Sequence, residues 1–329
     1  MSSRILAIGN ALVDIIARVE VSNIETLGLS PGGMTLIDGP TSKSIHRKVK
    51  NAREISGGSA ANTAAIAASL GAKAGYAGKI ASDTFGEIFI DDLASLGIRP
   101  LVSATPENSG LHTGTCLSLI TPDAQRTMCT HLGAAQKLSA ADISLQDMRD
   151  ADIIFLEGYL LDAPGGYDIF RAVIASKPRT LSLTLSDARC VKRHAAFLDE
   201  ILSSIDLLFG NEEEMIALFP EAQTPQQATS IASSHIQRVV CTNGAEGVYV
   251  AENRHMTHLP AIKVDVVDTT GADDSLAGTV LWAIADGRDF HAGVRMALRV
   301  AAEVISEIGA RPSRDIRNLL ESEGYLVAA

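Results

Sequence analysis

The sequence predicts an α/β protein: a doubly wound, largely parallel sheet with helices on both faces and a small β-sheet lid. Three observations predict it. From about residue 151, apolar runs of strand length alternate with runs of helical spacing, the rhythm of parallel strands joined by crossover helices. Polar residues cluster just past the ends of those apolar runs, where open α/β sheets bind their ligands. Two earlier stretches, roughly 14–52 and 107–132, are β-rich and break the rhythm, so they are expected to form the small covering sheet. No internal repeat, low-complexity tract or dividing linker interrupts the 329 residues, and one domain, 1–329, is expected.

Residues 4–8 read as a buried first strand ending in Gly9-Asn10, and 11–21 as a second strand carrying Asp14. Asn10 and Asp14 are polar groups set among Ile, Leu and Val. A buried carboxylate is costly unless paired or bonded to a ligand; the alternative is a turn or edge residue, since Asp is depleted in strands. Pro31-Gly32-Gly33 marks a turn. The basic stretch 42–52 reads as a solvated helix face. In Ser56-Gly57-Gly58-Ser59-Ala60-Ala61-Asn62, the Gly pair opens a helix of small residues over 60–70, ended by Gly71. Small residues let a backbone and a ligand approach closely. Asn62, one turn in, points its amide toward whatever the Gly pair contacts, unless it is incidental to a close-packed Ala helix. The stretch is not G-x-G-x-x-G, so the dinucleotide fingerprint is absent.

Residues 74–80 form a strand, and Asp83 caps a helix over 87–96 that ends at Gly97. Residues 113–121 alternate as a strand with one open face, turn at Pro122-Asp123 and return over 126–130. Arg126 at that return is a guanidinium able to bind phosphate bidentately, or else a solvated strand-end cation. Then come strand 153–157, helix 167–175, strand 181–185 before Ser186-Asp187, helix 195–203, strand 206–209 before Asn211-Glu212-Glu213-Glu214, and strand 239–242 before Asn243-Gly244. Asn211 and Glu214 are oxygen ligands of the kind Mg2+ and its waters accept; an acidic helix first turn favoured by the dipole is the plain alternative. Residues 262–267 read as a strand leading into Asp268-Thr269-Thr270-Gly271-Ala272-Asp273-Asp274-Ser275 and a helix over 276–285. A Gly at such a turn tolerates tight geometry, the helix start offers amides and a positive dipole end to an anion, and Asp274 beside that cradle is placed to take a proton from a hydroxyl. Asp and Ser are also common helix caps.

Composition narrows the partners. The net charge of -11 argues against nucleic acid while leaving room for small phosphate esters. The four cysteines form no CxxC pair, which suits a reducing cytoplasm and argues against structural zinc. No run reaches membrane-spanning length, and the apolar start of the chain is too short and too soon interrupted by Gly9-Asn10 for a signal peptide.

These motifs together resemble the ribokinase (PfkB) family of carbohydrate and nucleoside kinases, nearly end to end. Residues 56–64 and 268–274 resemble its two signatures, Asn211-Glu212-Glu213-Glu214 its N-x-x-E element, and Thr242 to Gly247 its nucleotide-loop strand end. Residues 8–14, Glu157-Gly158-Tyr159, Thr184 to Asp187 and Gln125-Arg126 look most like the adenosine kinase branch. The resemblance implies a ribokinase-like fold and an ATP-dependent phosphotransferase acting on the 5′-hydroxyl of adenosine in purine salvage, with a free sugar such as ribose or fructose as the alternative acceptor. It implies that Asp14, Gly57, Gly58 and Asn62, supported by Asn10, hold the acceptor; that Asp274 is the base; and that Gly271 and Ala272 supply anion-hole amides while Arg126 clamps the transferred group. Asn211 and Glu214 would organise Mg2+ and the phosphates through water, and Thr242, Gly244 and Gly247 would border ATP. A monovalent cation is left open, and so is the choice of monomer or homodimer. At the turn this chain departs from the family's Gly-Ala-Gly-Asp: Asp273 stands where Gly is usual. Its bulk and charge are expected to oppose an approaching phosphoryl group, which leaves a non-catalytic nucleoside-binding homologue as a further alternative.

Overall fold

In the computed structural model of the chain, the described residues are 4–27, 29, 34–122 and 126–326, with every side chain among them except those of Asn23, Glu25 and Arg126. The turn expected at Pro31-Gly32-Gly33 and the Asp123 and Gln125 positions lie outside them. The strands are β1 (Arg4–Ile8), β2 (Leu12–Arg18), β3 (Met34–Leu36), β4 (Arg53–Gly57), β5 (Lys73–Ala81), β6 (Arg99–Thr105), β7 (Gly114–Ile120), β8 (Arg126–His131), β9 (Ile153–Glu157), β10 (Thr180–Thr184), β11 (Leu207–Asn211), β12 (Arg238–Thr242), β13 (Val248–Glu252) and β14 (His255–Leu259). The helices are α1 (Val21–Thr26), α2 (Gly39–Lys48), α3 (Ser59–Ser69), α4 (Thr84–Ser95), α5 (Leu145–Asp150), α6 (Gly166–Ser176), α7 (Ala188–Arg193), α8 (Ala195–Ile201), α9 (Glu212–Leu218), α10 (Pro225–Ala232), α11 (Ala272–Ala285), α12 (Phe290–Ile305) and α13 (Ile316–Ser322).

A nine-stranded sheet runs β14-β13-β12-β11-β10-β9-β1-β5-β6. It is parallel from β6 to β12, with β12, β13 and β14 joined antiparallel at one edge. β1 lies near its middle and reads as an unbroken apolar run because both its faces are covered. Ile5 and Ala7 enter one hydrophobic core with Ile66 of α3, Val280 of α11 and Val300 of α12. Leu6 and Ile8 enter a second core on the other face with Ile169 and Phe170 of α6. Alternate residues of one strand thus feed both layers, which makes the sheet doubly wound.

After β1 the chain leaves to lay down β2, β3 and β4 of a second, five-stranded sheet, β3-β8-β7-β2-β4, then returns through α3 to β5 on one side of β1, and adds β7 and β8 to the second sheet after β6. Later it places β9 on the other side. The strand order therefore switches direction between β1 and β9, and their carboxyl ends open the crevice that such a switch creates. The second sheet joins this crevice directly, because only Gly9-Asn10-Ala11 separates β1 from β2, and Gly58 alone separates β4 from α3.

Several expected boundaries change. The second strand ends at Arg18, and Val21 begins the short helix α1. Residues 262–267 form no strand: Val264 is 37% and Val266 55% exposed. The edge strand β14 finds no further partner among the described residues. Instead, the segment is tied at its end, where the amides of Val267 (2.8 Å) and Asp268 (3.2 Å) donate to the Ile305 carbonyl of α12. The turn into α11 is consequently anchored to a helix end rather than to the sheet. β4, β6, β13, β14, α10, α12 and α13 were not anticipated from the sequence. β4 is exposed at its first two residues and β6 is half-exposed over most of its length, so they lack the continuous apolar run that marks a central strand.

Candidate active site

A cleft of about 650 Å3 lies between the two sheets, at the carboxyl ends of β1, β9, β10, β11 and β12 and at the start of α11. Its residues come from distant parts of the chain and meet because parallel strands all deliver their carboxyl ends to one rim.

At one end stands Asp14, on β2 and only 8% exposed. Gly57, its neighbour on the paired strand β4, makes room for it: a Cβ at Gly57 would lie 2.1 Å from the Asp14 Cγ. Gly57 therefore shapes the site from behind, while Gly58 lines the cleft. Next to them, the first turn of α3 faces the first turn of α11. The Ser59 hydroxyl donates to Asp274 Oδ1 (2.7 Å), and the Asn62 side-chain amide donates to Asp274 Oδ2 (3.1 Å). Asp274 is thus an oriented carboxylate, bonded across the α3–α11 contact.

The turn before Asp274 is locked from below. Gly271 caps α11 with φ +76 and no side-chain capping bond. A Cβ there would meet the Ala310 backbone at 2.6 Å, so the left-handed geometry and the close approach both require Gly. Asp268, 2% exposed, accepts from the Thr270 amide (2.9 Å) and hydroxyl and from the Gly309 amide (2.9 Å). The Ala272 amide donates weakly to the Thr269 carbonyl (3.3 Å). Asp273, the residue in place of the usual Gly, leans away from α3 and accepts from the Thr242 hydroxyl at the end of β12 (3.1 Å).

Glu157 ends β9 at the switch point. It accepts from the Asn10 amide (2.7 Å), the Asn10 side chain (2.8 Å) and the Ala60 amide (2.9 Å). Burial pushes its carboxyl up to about 7; the three donors oppose this, and the charge of Asp274 adds to it. Asn10 therefore spends its NH2 on Glu157. Glu214 is pushed up to about 8, first by burial and then by Asp273. It forms a capping box with Asn211: Glu214 N donates to Asn211 Oδ1 (3.0 Å) and Asn211 N to Glu214 Oε2 (3.1 Å), with Asn211 Nδ2 donating besides to Glu214 Oε1 (2.7 Å).

Of the residues singled out in the sequence, Asn10, Asp14, Gly58, Asn62, Glu214, Thr242, Gly271, Ala272 and Asp274 line this cleft. Asn211 stands behind Glu214 as its cap. Gly244 lies in a turn with φ +52, and Gly247, at φ +100, packs where a Cβ would meet Leu259 O at 2.1 Å; both belong to the loop beyond β12 and stand outside the lining. Arg126 opens β8, and its side chain lies outside the described residues. Sequence reasoning did not single out Ser59, Asp92 or Arg311, and it noted Glu157 only within a family likeness. A carboxylate closing an all-apolar strand was the available signal for Glu157, by the argument already applied to Asp14.

The cleft is acidic. Asp14, Glu157, Asp162, Asp187, Glu214, Asp273 and Asp274 line it, against Arg189 and Arg193 as cations among the described residues, and Arg193 is paired with Asp162. Glu214, raised first by burial and then by the charge of Asp273, is a carboxylate whose ionised form a divalent cation would favour, so Mg2+ fits the chemistry there. The glycine-capped α11 terminus fits a phosphate.

Residues 3–317 match the family model described as pfkB family carbohydrate kinase. The chain belongs to the PfkB family, whose members are carbohydrate and nucleoside kinases, and the family implies use of ATP. Among curated relatives, ribokinase of Bacillus subtilis is 26% identical over 81% of this chain and 87% of its own length. Adenosine kinase of Saccharomyces cerevisiae is 27% identical over 96% of this chain and 99% of its own. Among solved structures, adenosine kinase from Sinorhizobium meliloti superposes with TM-score 0.86 at 32% identity, covering 98% of this chain and all of that one. A probable sugar kinase from Rhizobium etli superposes with TM-score 0.88 at 30% identity, covering 99% of this chain and all of that one.

Proposed function

We propose that the protein is an ATP-dependent kinase that phosphorylates the 5′-hydroxyl of adenosine. The observation carrying the proposal is the placement of Asp274. It sits on the first turn of a glycine-capped helix, oriented by Ser59 and Asn62, in the same cleft as the buried Asp14. A proton acceptor, an anion-binding helix start and a hydroxyl-binding carboxylate are the three groups that direct phosphoryl transfer to an alcohol needs.

In this reading Asp14 accepts hydrogens from the ribose hydroxyls, with Asn62 and Gly58 beside it. Asp274 takes the 5′-hydroxyl proton as that oxygen attacks the γ-phosphorus, and the bond to the β–γ bridging oxygen breaks to release ADP. Amides at the Gly271 turn hold the moving phosphoryl group, and Arg126 is assigned the clamp on it. Asn211 and Glu214 would hold Mg2+ through water; the ion would supply neutralisation of the phosphate charge. Thr242 and the loop carrying Gly244 and Gly247 border the nucleotide. The five-stranded sheet serves as the lid of a single catalytic domain.

Leu12, Ile16, Cys116, Met128 and Leu132 line the cleft on the side of Asp14. This apolar surface suits a purine and would face a free sugar with nothing to bury, which favours the nucleoside over ribose or fructose. Four buried free cysteines suit a cytoplasmic setting. No helix among the described residues is long and apolar enough to cross a membrane.

The test is a coupled ADP-release assay over a panel of nucleosides and sugars. Adenosine is expected to give the highest kcat/KM. Faster turnover of ribose or fructose would replace the nucleoside assignment with the sugar one. Tight adenosine binding with no ADP release would show that Asp273 has disabled transfer.

A further inference from the structure

We infer that Arg311 is a positioning residue for the transfer step: it sets the Asn62 amide in the one orientation that donates to Asp274. The inference rests on the reading of Asp274 as the base. Arg311 follows α12 and lies 249 residues from Asn62 in sequence, and it is not among the residues lining the cleft.

Its guanidinium is almost fully engaged. Nε donates to Asn62 Oδ1 (3.2 Å), Nη1 to Asp92 Oδ2 (2.8 Å), and Nη2 to Ser56 O (2.7 Å) and Ser56 Oγ (3.0 Å). Asp92 also accepts from the Ser56 amide (3.1 Å) and hydroxyl (2.5 Å). The side chain is only 13% exposed. One planar fork therefore ties together the end of β4, the first turn of α3 and the middle of α4.

The chemistry of the donors decides the amide orientation. A guanidinium has only donors, so the Asn62 atom facing it must be the carbonyl oxygen. An ionised carboxylate has only acceptors, so the Asn62 atom facing Asp274 must be the NH2. Both neighbours select the same orientation. Without Arg311 the oxygen end loses its partner among the described residues, only Asp274 still selects the orientation, and a half-turn about the Cβ–Cγ bond, which presents an acceptor to the Asp274 carboxylate, becomes accessible. Asp274 would then be held by Ser59 without its second oriented donor. A lysine cannot substitute, because one ammonium nitrogen cannot reproduce a three-way planar fork.

The test is a double-mutant comparison on the full-length protein with Arg311→Met, Asn62→Ala and the pair. Arg311→Met is expected to lower kcat ten- to a hundredfold with the KM for ATP within twofold of the native value. In the Asn62→Ala background the same change should alter kcat less than twofold while lowering Tm as much as before. Equal kcat losses in both backgrounds, or a native-like kcat in Arg311→Met, would overturn the inference and leave Arg311 as a structural strut. If Arg311→Met does not fold, Arg311→Lys carries the same comparison. The Asn62 side-chain NH2 resonances give a reading that needs no turnover: they should move to the position of a free amide when Arg311 is replaced, and unchanged resonances would refute the inference. A native protein that releases no ADP with any acceptor would instead overturn the kinase reading.

Discussion

Replacing Asp273 with glycine restores the residue usual at that turn, and its effects on rate and on stability should have opposite signs. Asp273 is an exposed carboxylate on the first turn of α11, one residue before Asp274 and bonded to Thr242. A phosphate oxygen about 4 Å from it is repelled by roughly 4 kcal/mol at an effective dielectric near 20. Exposure and the lean toward Thr242 reduce this, and a quarter of the figure, about 1 kcal/mol, corresponds to about a fivefold change in rate. The substitution also removes the second-largest cause of the raised Glu214 pKa. Glu214 should then ionise at lower pH and hold Mg2+ at lower concentration. Against this, the helix loses a carboxylate that favours its N-terminus, worth about 0.3–1 kcal/mol, and gains a glycine costing up to about 1 kcal/mol. Asp273→Gly should therefore show a several-fold higher kcat with MgATP, a lower half-saturating Mg2+, an unchanged adenosine KM and a lower Tm. Steady-state kinetics over a Mg2+ series and a thermal melt measure all four. A slower Asp273→Gly would refute the reasoning and make Asp273 and Asp274 a working pair.

Three more outcomes are expected. Asp14→Ala should weaken adenosine binding by the loss of charge-assisted hydrogen bonds worth roughly 1.5–3 kcal/mol each, with ATP binding unchanged by calorimetry; unaltered adenosine affinity would remove Asp14 from the acceptor site. Asp274→Asn should lower kcat by about 10²–10⁴-fold, and it should also lower Tm, since a neutral amide gives up the charge-assisted bonds that Asp274 accepts from Ser59 and Asn62; near-native turnover would place the base elsewhere. Burial raises Glu157 to about 7 in the folded state, from the 4.5 it has when unfolded. Its contribution is therefore fully present below about pH 4.5 and is lost as pH rises through about 7, a change of about 3 kcal/mol. Urea titrations across that range should show a native stability that falls with pH and a flatter dependence in Glu157→Gln; equal slopes would contradict it.

Much of this protein was legible in the sequence because its signals are local. A buried parallel strand must be apolar on both faces, so β1, β9, β10, β11 and β12 announce themselves as short apolar runs. The carboxyl end of such a strand must turn out to solvent, so Asn10, Asp187 and Asn211 stand out against their neighbours, and Asp274 stands out at the start of an apolar helix. The resemblance of 56–64 and 268–274 to a kinase family rests on the same local spacing.

What depended on tertiary structure is long-range. Residues 262–267 have the alternation of a strand, yet whether a strand forms depends on a partner edge, and here the Ile305 carbonyl takes the bonds instead. Asn211 and Glu214 look like cation ligands in sequence; that they cap one another is a local contact of the α9 start, but that Asp273 raises the Glu214 pKa follows from α11 placed across the cleft. Glu157 holding Asn10, and Arg311 holding Asn62, join residues 147 and 249 positions apart. Spacing along a chain cannot reveal such pairs, because hydrogen bonds form between neighbours in space. That neighbourhood is created only when the sheet folds and brings α3, α4, α11 and the end of α12 together.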